Sequence, residues 1–412
     1  MSGTCVGCSC RTVATGGSGN LALLATRVDH TVGILRSLAS RHGATVQALA
    51  PGLLAVETDR VDGLIAAACE ALTPVETDEV HCLVLDSAEL SDAAVIGRAM
   101  TSPSLAEAGA RVRNADLVAL FENEERCFHA AYQRIVTLAD SRVIGYEALL
   151  RAETLTGQPV MPDELFPAAE AAGWVHLLDR VGRTTALREA GPWLGEALLF
   201  INFIPTSIYR PEVCLRTTEA AAEQAGIRLD QLVFEVTEGH KIEAVDHLER
   251  VFEHYRARRC KVALDDLGSG YSSLNLLVRL QPDIVKLDKE IVQALPGPTS
   301  TEVVGAVVKI VHSYGGRVLA ECVETEEQAE AAAELQVDLA QGWFFGRPER
   351  PLPTGSPAGE VGPAPSVPAQ PHLPDAAVAV ALDPAGADSG HGSEPDVGPL
   401  PRMVERSTAR TV

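Results

Sequence analysis

Eight apolar runs recur between residues 126 and 350, and their order limits what this chain can fold into. They are RIVTL, RVIGYEALL, ALLFINF, QLVFEVTE, KVALDD, DIVKLD, RVLAECVE and LAQGWFF. From ALLFINF onward most are separated by amphipathic stretches such as HLERVFEHYRARR and EEQAEAAAELQ. The spacing there is roughly 20–35 residues, the length of one strand–helix unit. RIVTL and RVIGYEALL are instead joined by a tight turn at Asp140–Ser141, which predicts an antiparallel pair. Eight strands, mostly parallel and linked by helices, predict an α/β fold: a TIM-type (β/α)8 barrel variant with an antiparallel first strand.

Chemistry in such barrels gathers at the C-terminal ends of the strands. Polar residues read off those ends are Glu147, Asn202, Glu235, Asp265 with Asp266, Lys286, Glu321 and Gln341. Barrel closure would bring them to one mouth. Adjacent carboxylates such as Asp265 and Asp266, in KVALDDLGSGYSS, repel one another and are costly to desolvate, so a cation is expected among them. Oxygen donors without histidine or cysteine point to Mg2+ or Mn2+ over zinc. Two such ions would activate a water and clamp the attacking and leaving oxygens of a phosphoryl displacement. Lys286 would then steady the attacking water or the developing charge, and Glu321 would take the proton from that water.

The net charge bears on this directly. With 56 acidic and 34 basic residues the chain carries −22, which argues against a partner that is a nucleic-acid polymer or a membrane surface. Metal ions would reconcile that charge with an anionic substrate. No stretch reaches the ~20 apolar residues needed to cross a bilayer, and MSGTCVGCSC lacks the features of a signal peptide. Nine cysteines are scattered, several inside expected strands or helices, as free buried thiols are. A cytoplasmic location is the expectation.

Four zones are expected. Residues 1–19 form a flexible, cysteine-bearing N-terminus. Residues 20–122 form a small α/β domain of regulatory or dimerising type, without a chemical motif. Residues 124–350 form the barrel, and 351–412 a disordered Pro/Gly/Ala-rich tail. Cys5, Cys8 and Cys10 have a spacing that can hold zinc, but no fourth ligand lies nearby and incidental cysteines are the simpler reading.

The segment from about Ala131 to Pro348 resembles the EAL-domain cyclic di-GMP phosphodiesterases. YEALLR carries the Glu147–Ala148–Leu149 signature; INF, FEVTE, LDDLGSGYSSL, VKLD, AECVET and QGWFFGRP follow in the family's order. The resemblance implies hydrolysis of cyclic di-GMP to linear pGpG with two Mg2+ or Mn2+ ions. It places Glu147, Asn202, Glu235 and Asp265 around one metal and adds Asp266 for the second. It makes Glu321 the general base, with Lys286 and Gln341 on metal-bound waters. It puts Arg151 on substrate phosphate, and Glu238 in support of the loop after the paired aspartates. Glu324 would support the substrate side, and Asp179 would read a guanine edge. The family tends to dimerise through the barrel, so a homodimer is expected.

Four departures stand out: Leu267 for phenylalanine, Ser269 for threonine, Cys322 for glycine beside the proposed base, and Arg134 for proline. Cys322 is either a redox-sensitive position or a passive substitution. The plainer account of the paired aspartates is a helix cap, which needs only one carboxylate. His129 and His312 read as packing or surface residues, and Trp343, Phe344 and Phe345 as barrel packing. The rival to an enzyme is a non-catalytic cyclic di-GMP receptor or protein-docking module. A phosphodiesterase for another nucleotide or a phospholipid is a third reading.

Overall fold

The computed structural model describes residues 19–91, 94–208, 210–237, 245–267 and 273–350. The cysteine trio, Glu238, Ser269 and the expected tail lie outside the described residues. No described helix is long and apolar enough to cross a membrane.

The front of the chain forms a four-stranded sheet from β1 (Leu21–Ala25), β2 (Thr45–Ala50), β3 (Leu53–Glu57) and β4 (His81–Leu85), in the order β2-β3-β1-β4. Every neighbouring pair is antiparallel. Helices Asp29–Arg41 and Val61–Ala71 complete a split β-α-β pattern. The central strand β1 is the run LALLA, apolar throughout and not alternating. Both its faces are covered: Ala22 and Leu24 pack with Leu35, Leu64 and Ile65, while Leu21 and Leu23 pack with Val95 and Ala99. A strand buried on both sides needs apolar side chains at every position.

The second sheet closes on itself. Its ring is β5 (Phe128–Thr137), β6 (Val143–Glu153), β8 (Leu198–Asn202), β9 (Leu232–Thr237), β10 (Lys261–Leu267), β11 (Ile284–Leu287), β12 (Arg317–Ala320) and β13 (Leu339–Ala340). β5 lies antiparallel to both β6 and β13, and the remaining neighbours are parallel. This is the expected barrel with an antiparallel first strand. The run LAQGWFF is the shortest contributor, pairing only through Leu339 and Ala340.

Inside the ring the side chains form layers. Ile135, Phe200, Val233, Ala263, Ile284, Leu319 and Leu339 make an apolar floor, each almost fully buried. β6 contributes Gly145 at this level, because a Cβ there would come within 3.0 Å of the Phe200 ring. Burying each larger floor side chain contributes roughly 1.5–3 kcal/mol. The next inward-facing residue along a strand lies two positions away. The floor therefore dictates which residues form the layer above it.

The front sheet and the barrel share packing. Phe121, on helix Ala115–Glu122, sits 5.3 Å from the ring of Phe128 and 5.7 Å from Trp174. Arg111, on helix Leu105–Arg113, donates from Nε to the carbonyl of Ala172 at 2.8 Å.

Candidate active site

Two residues on from the floor come Glu147, Asn202, Glu235, Asp265, Lys286, Glu321 and Gln341, one from, or just past the end of, each ring strand after β5. The sequence placed these groups at strand ends, and here the structure corrects it for several. Glu147 lies in the middle of the eleven-residue β6, which runs on past the ring to pair with β7 (Pro159–Val160). Glu235, Asp265 and Lys286 also lie within their strands. What unites them is distance from the floor.

The same count exposes a residue that sequence reading missed. β5 runs the opposite way, so its contribution precedes its floor residue: Gln133, two before Ile135. Gln133 is buried and directly opposite Glu147 in the β5–β6 register. Its Oε1 accepts from Gln341 Nε2 at 2.9 Å, and its own Nε2 donates to the carbonyl of Gly346 at 3.0 Å. Gln341 Nε2 also donates to Glu147 Oε2 at 2.6 Å, while Asn202 Nδ2 donates to Glu147 Oε1 at 3.0 Å. A lone amide in the apolar run AAYQRIV was the available signal, once the strand is read backwards.

Adjacent residues of a strand normally face opposite sides. Asp265 and Asp266 escape that rule because β10 bulges between Leu264 and Leu267 and Asp266 has φ 55°. A left-handed backbone is uncommon outside glycine, though aspartate tolerates it better than most residues. One oxygen each of Asp265, Asp266 and Glu321 consequently lie within 4.8 Å of one another. Both aspartates lie within β10, and the next described helix is Ser273–Leu280.

Lys286 stands at the centre, with none of its side chain exposed. Its Nζ lies 2.7 Å from Glu321, 2.9 Å from Asp265, 3.1 Å from Glu235 and 3.7 Å from Glu147. Burial would drive the ammonium toward neutrality, but these carboxylates outweigh it and hold its pKa well above the ordinary value. One ammonium cannot balance five carboxylates. Burial raises Glu321 and Glu235 well above the usual range despite Lys286, and raises Asp265 as well. Asp266 is pushed up to about 7 by burial and by the charge of Asp265. Glu147 goes the other way: burial would raise it, but Lys286 and the amides of Gln341 and Asn202 hold it low.

The donor set fits divalent cations. Glu235 Oε2 and Gln341 Oε1 are buried without a hydrogen-bond donor among the described residues. Carboxylate and amide oxygens are the ligands that hard divalent ions take. If all five carboxylates ionise beside one ammonium, the excess is four negative charges, the charge of two such ions.

The other expected site residues are placed less centrally. Arg151, on β6 beyond Glu147, is half-buried and donates to the carbonyl of Leu150 at 3.0 Å. Glu324 is exposed and accepts from Gln293 Nε2 at 3.0 Å. Asp179 lines a cavity with Asn202, Phe203 and Ile204. It is buried, with Arg183 on one side, the N–H of Ile204 at 2.8 Å and the hydroxyl of Ser207 at 2.6 Å.

The sequence of the EAL domain family matches residues 114–348. This chain belongs to that family. A relative, the cyclic di-GMP phosphodiesterase NbdA of Pseudomonas aeruginosa, is 32% identical over 222 residues, covering 53% of this chain. The chain spans only 28% of that relative's length. Among solved structures, the PaMucR phosphodiesterase in complex with c-di-GMP is 25% identical with a TM-score of 0.52, covering 57% of this chain and 97% of that one. Klebsiella pneumoniae BlrP1, in a calcium and c-di-GMP complex, is 25% identical with a TM-score of 0.50 and covers 80% of this chain and 96% of that one.

Three of the four departures from the EAL pattern, Leu267, Arg134 and Cys322, lie among the described residues. Leu267 is buried in the main core cluster, and Arg134 lies against Gly346. Cys322 keeps the glycine-like backbone, with φ 51°. Its thiol is pushed up to about 12, chiefly by burial and then by Glu321, which favours the passive reading over a reactive thiolate. The loop holding Glu321 is closed onto the one holding Gln341: Val323 N–H donates to the Gln341 carbonyl at 3.0 Å, and a Cβ on Gly342 would meet Val323 O at 2.1 Å. Phe345 is buried as expected, whereas Trp343 is partly exposed beneath the guanidinium of Arg347, 4.1 Å from its ring centroid. His312 Nε2 donates to Asp338 Oδ2 at 2.9 Å at the surface.

Proposed function

We propose that this chain hydrolyses cyclic di-GMP to linear pGpG, using two Mg2+ or Mn2+ ions. The observation that carries the reading is the excess of carboxylates over ammonium at one barrel mouth, with oxygen donors left unpartnered. Glu147, Asn202, Glu235 and Asp265 would hold one ion, and Asp265 with Asp266 the other. Bound there, the ions would polarise the phosphate oxygens and make a bound water acidic enough to attack at neutral pH.

The chain's own groups supply the rest. Glu321 accepts one proton of the attacking water as the water oxygen bonds to phosphorus and the P–O3′ bond breaks, the 3′-oxygen taking a proton from solvent to leave as the ribose hydroxyl. Lys286, 2.7 Å from that carboxylate, holds it in place and offsets charge that develops on the phosphoryl oxygens. Asn202 and Gln341 fix the orientation of Glu147 through its two oxygens. Arg151 meets a substrate phosphate at the rim, and Glu324 supports the substrate side. The front α/β sheet acts as a regulatory module, and the barrel pairs with a second copy.

The test is incubation of the full chain with cyclic di-GMP and Mn2+, with pGpG as the expected product. Absence of product with Mg2+, Mn2+ and Co2+, while nucleotide still binds, would replace the enzyme with a receptor. Ca2+ should bind and support little turnover, because its longer and looser coordination positions the water poorly.

A further inference from the structure

We infer that Asp179 and Arg183 are positioning residues that pin the turn after β8, and through it the aim of Asn202. The inference rests on the functional reading above. Asp179 lies on helix Val175–Ala190, one turn before Arg183, and both side chains are almost fully buried. Burying such a pair brings little stability, since apolar side chains of similar volume do as well or better. Its partners show what the pair is for. Asp179 Oδ1 accepts the Ile204 N–H at 2.8 Å, and Oδ2 accepts the Ser207 hydroxyl at 2.6 Å. Arg183 bonds Asp179 and donates from Nε to Thr218 Oγ1 at 3.0 Å, anchoring the carboxylate from behind.

The turn from Phe203 to Ser207 begins immediately after Asn202. It is tied at Phe203, whose N–H donates to the Glu235 carbonyl at 3.0 Å, and at Ile204 by Asp179. These two bonds fix the backbone on the C-terminal side of Asn202, whose side chain must meet Glu147 at 3.0 Å. Without Asp179 the buried Ile204 N–H would lose its acceptor, and the turn would be free to swing the amide off the carboxylate. Outer contacts of this kind orient the groups that hold a metal.

The experiment uses the full chain and three variants: the Asp179→Leu/Arg183→Met pair, Ser207→Ala and Ser207→Thr. Amide hydrogen exchange at Ile204 is measured without metal, and Mn2+ affinity by calorimetry. The paired variant should lose Ile204 protection and bind Mn2+ about tenfold more weakly. Ser207→Ala should fall between it and the parent, and Ser207→Thr should restore the parental affinity. If the paired variant does not fold, the Ser207 comparison decides alone: equal Mn2+ affinity for alanine and threonine would overturn the inference. Unchanged exchange and Mn2+ affinity, with weaker cyclic di-GMP binding, would overturn it in favour of base reading by Asp179. If the parent chain binds no Mn2+, the phosphodiesterase reading falls, while the exchange result still decides whether Asp179 pins the turn.

Discussion

The ammonium of Lys286 lies 2.7 Å from the carboxylate of Glu321, and no part of the lysine side chain reaches solvent. A cation fixed at the inner end of the site tethers the proposed base and divides its charge among four acids.

Replacing Lys286 by methionine removes that cation and leaves the carboxylates facing one another. Breaking a buried ion pair from one side costs about 3–5 kcal/mol. The metal-free Lys286→Met protein should therefore unfold at a markedly lower temperature, and Mn2+ should recover part of the loss. Thermal unfolding with chelator and with Mn2+ checks this; equal midpoints for variant and parent in chelator would refute it.

Glu321→Ala should lower kcat by roughly 10²–10⁴, the range for loss of a general base, while cyclic di-GMP affinity stays within a few-fold. Single-turnover kinetics beside equilibrium binding separate the two effects. Retained turnover would mean that another group takes the proton.

Gln133→Leu removes the amide behind Gln341 and Glu147 without opening a large cavity. Turnover should drop about tenfold, as for other losses of support to a metal ligand. The folding midpoint should move little. A variant as active as the parent would show that Gln341 and Glu147 hold their places without it.

His129 and His254 set a pH dependence away from the site. Burial first, then the Arg350 charge, holds His129 below the ordinary imidazole value; burial and Arg258 do the same for His254. Both rings take up a proton more readily once unfolded, so the stability they contribute is present above the unfolded pKa of 6.5 and is lost as pH falls. The carboxylates raised at the site gain stability as pH falls and oppose this, so the histidine effect is read by difference: His254→Gln should gain in unfolding midpoint relative to the parent as pH falls from about 6.5 to about 5. A difference between the two midpoints that does not change across this window would contradict the assignment.

Cys322→Gly should be neutral or slightly stabilising, because glycine adopts φ 51° without strain. The parental thiol should react slowly with iodoacetamide at neutral pH, as befits a pKa of about 12. Rapid alkylation of Cys322 would revive the redox reading.

The barrel and most of its site were legible because both rest on periodicity. Strand–helix spacing gave the ring, and a polar residue closing each apolar run gave Glu147, Asn202, Glu235, Asp265, Lys286, Glu321 and Gln341. Gln133 was hidden by direction: its strand runs against the others, so its polar residue comes before the floor residue and not after it. The contacts of Asp179 with the Ile204 N–H and the Ser207 hydroxyl were not legible, because a helix-borne aspartate carries no sign in the sequence of which backbone N–H it will meet.

Composition and residue order by themselves determined that apolar strands would close into a ring with its acidic residues at one level, since side-chain alternation is a local property of the chain. Which partner each acid would find was decided only in three dimensions. The bulge at Asp266 turns two neighbouring carboxylates to the same side, and closure of the ring sets Lys286 within reach of four acids from other strands. The buried Arg183 commits Asp179 to the turn after Asn202. Those outcomes depend on long-range packing and on the loss of water around charge, and neither is written in any single stretch of sequence.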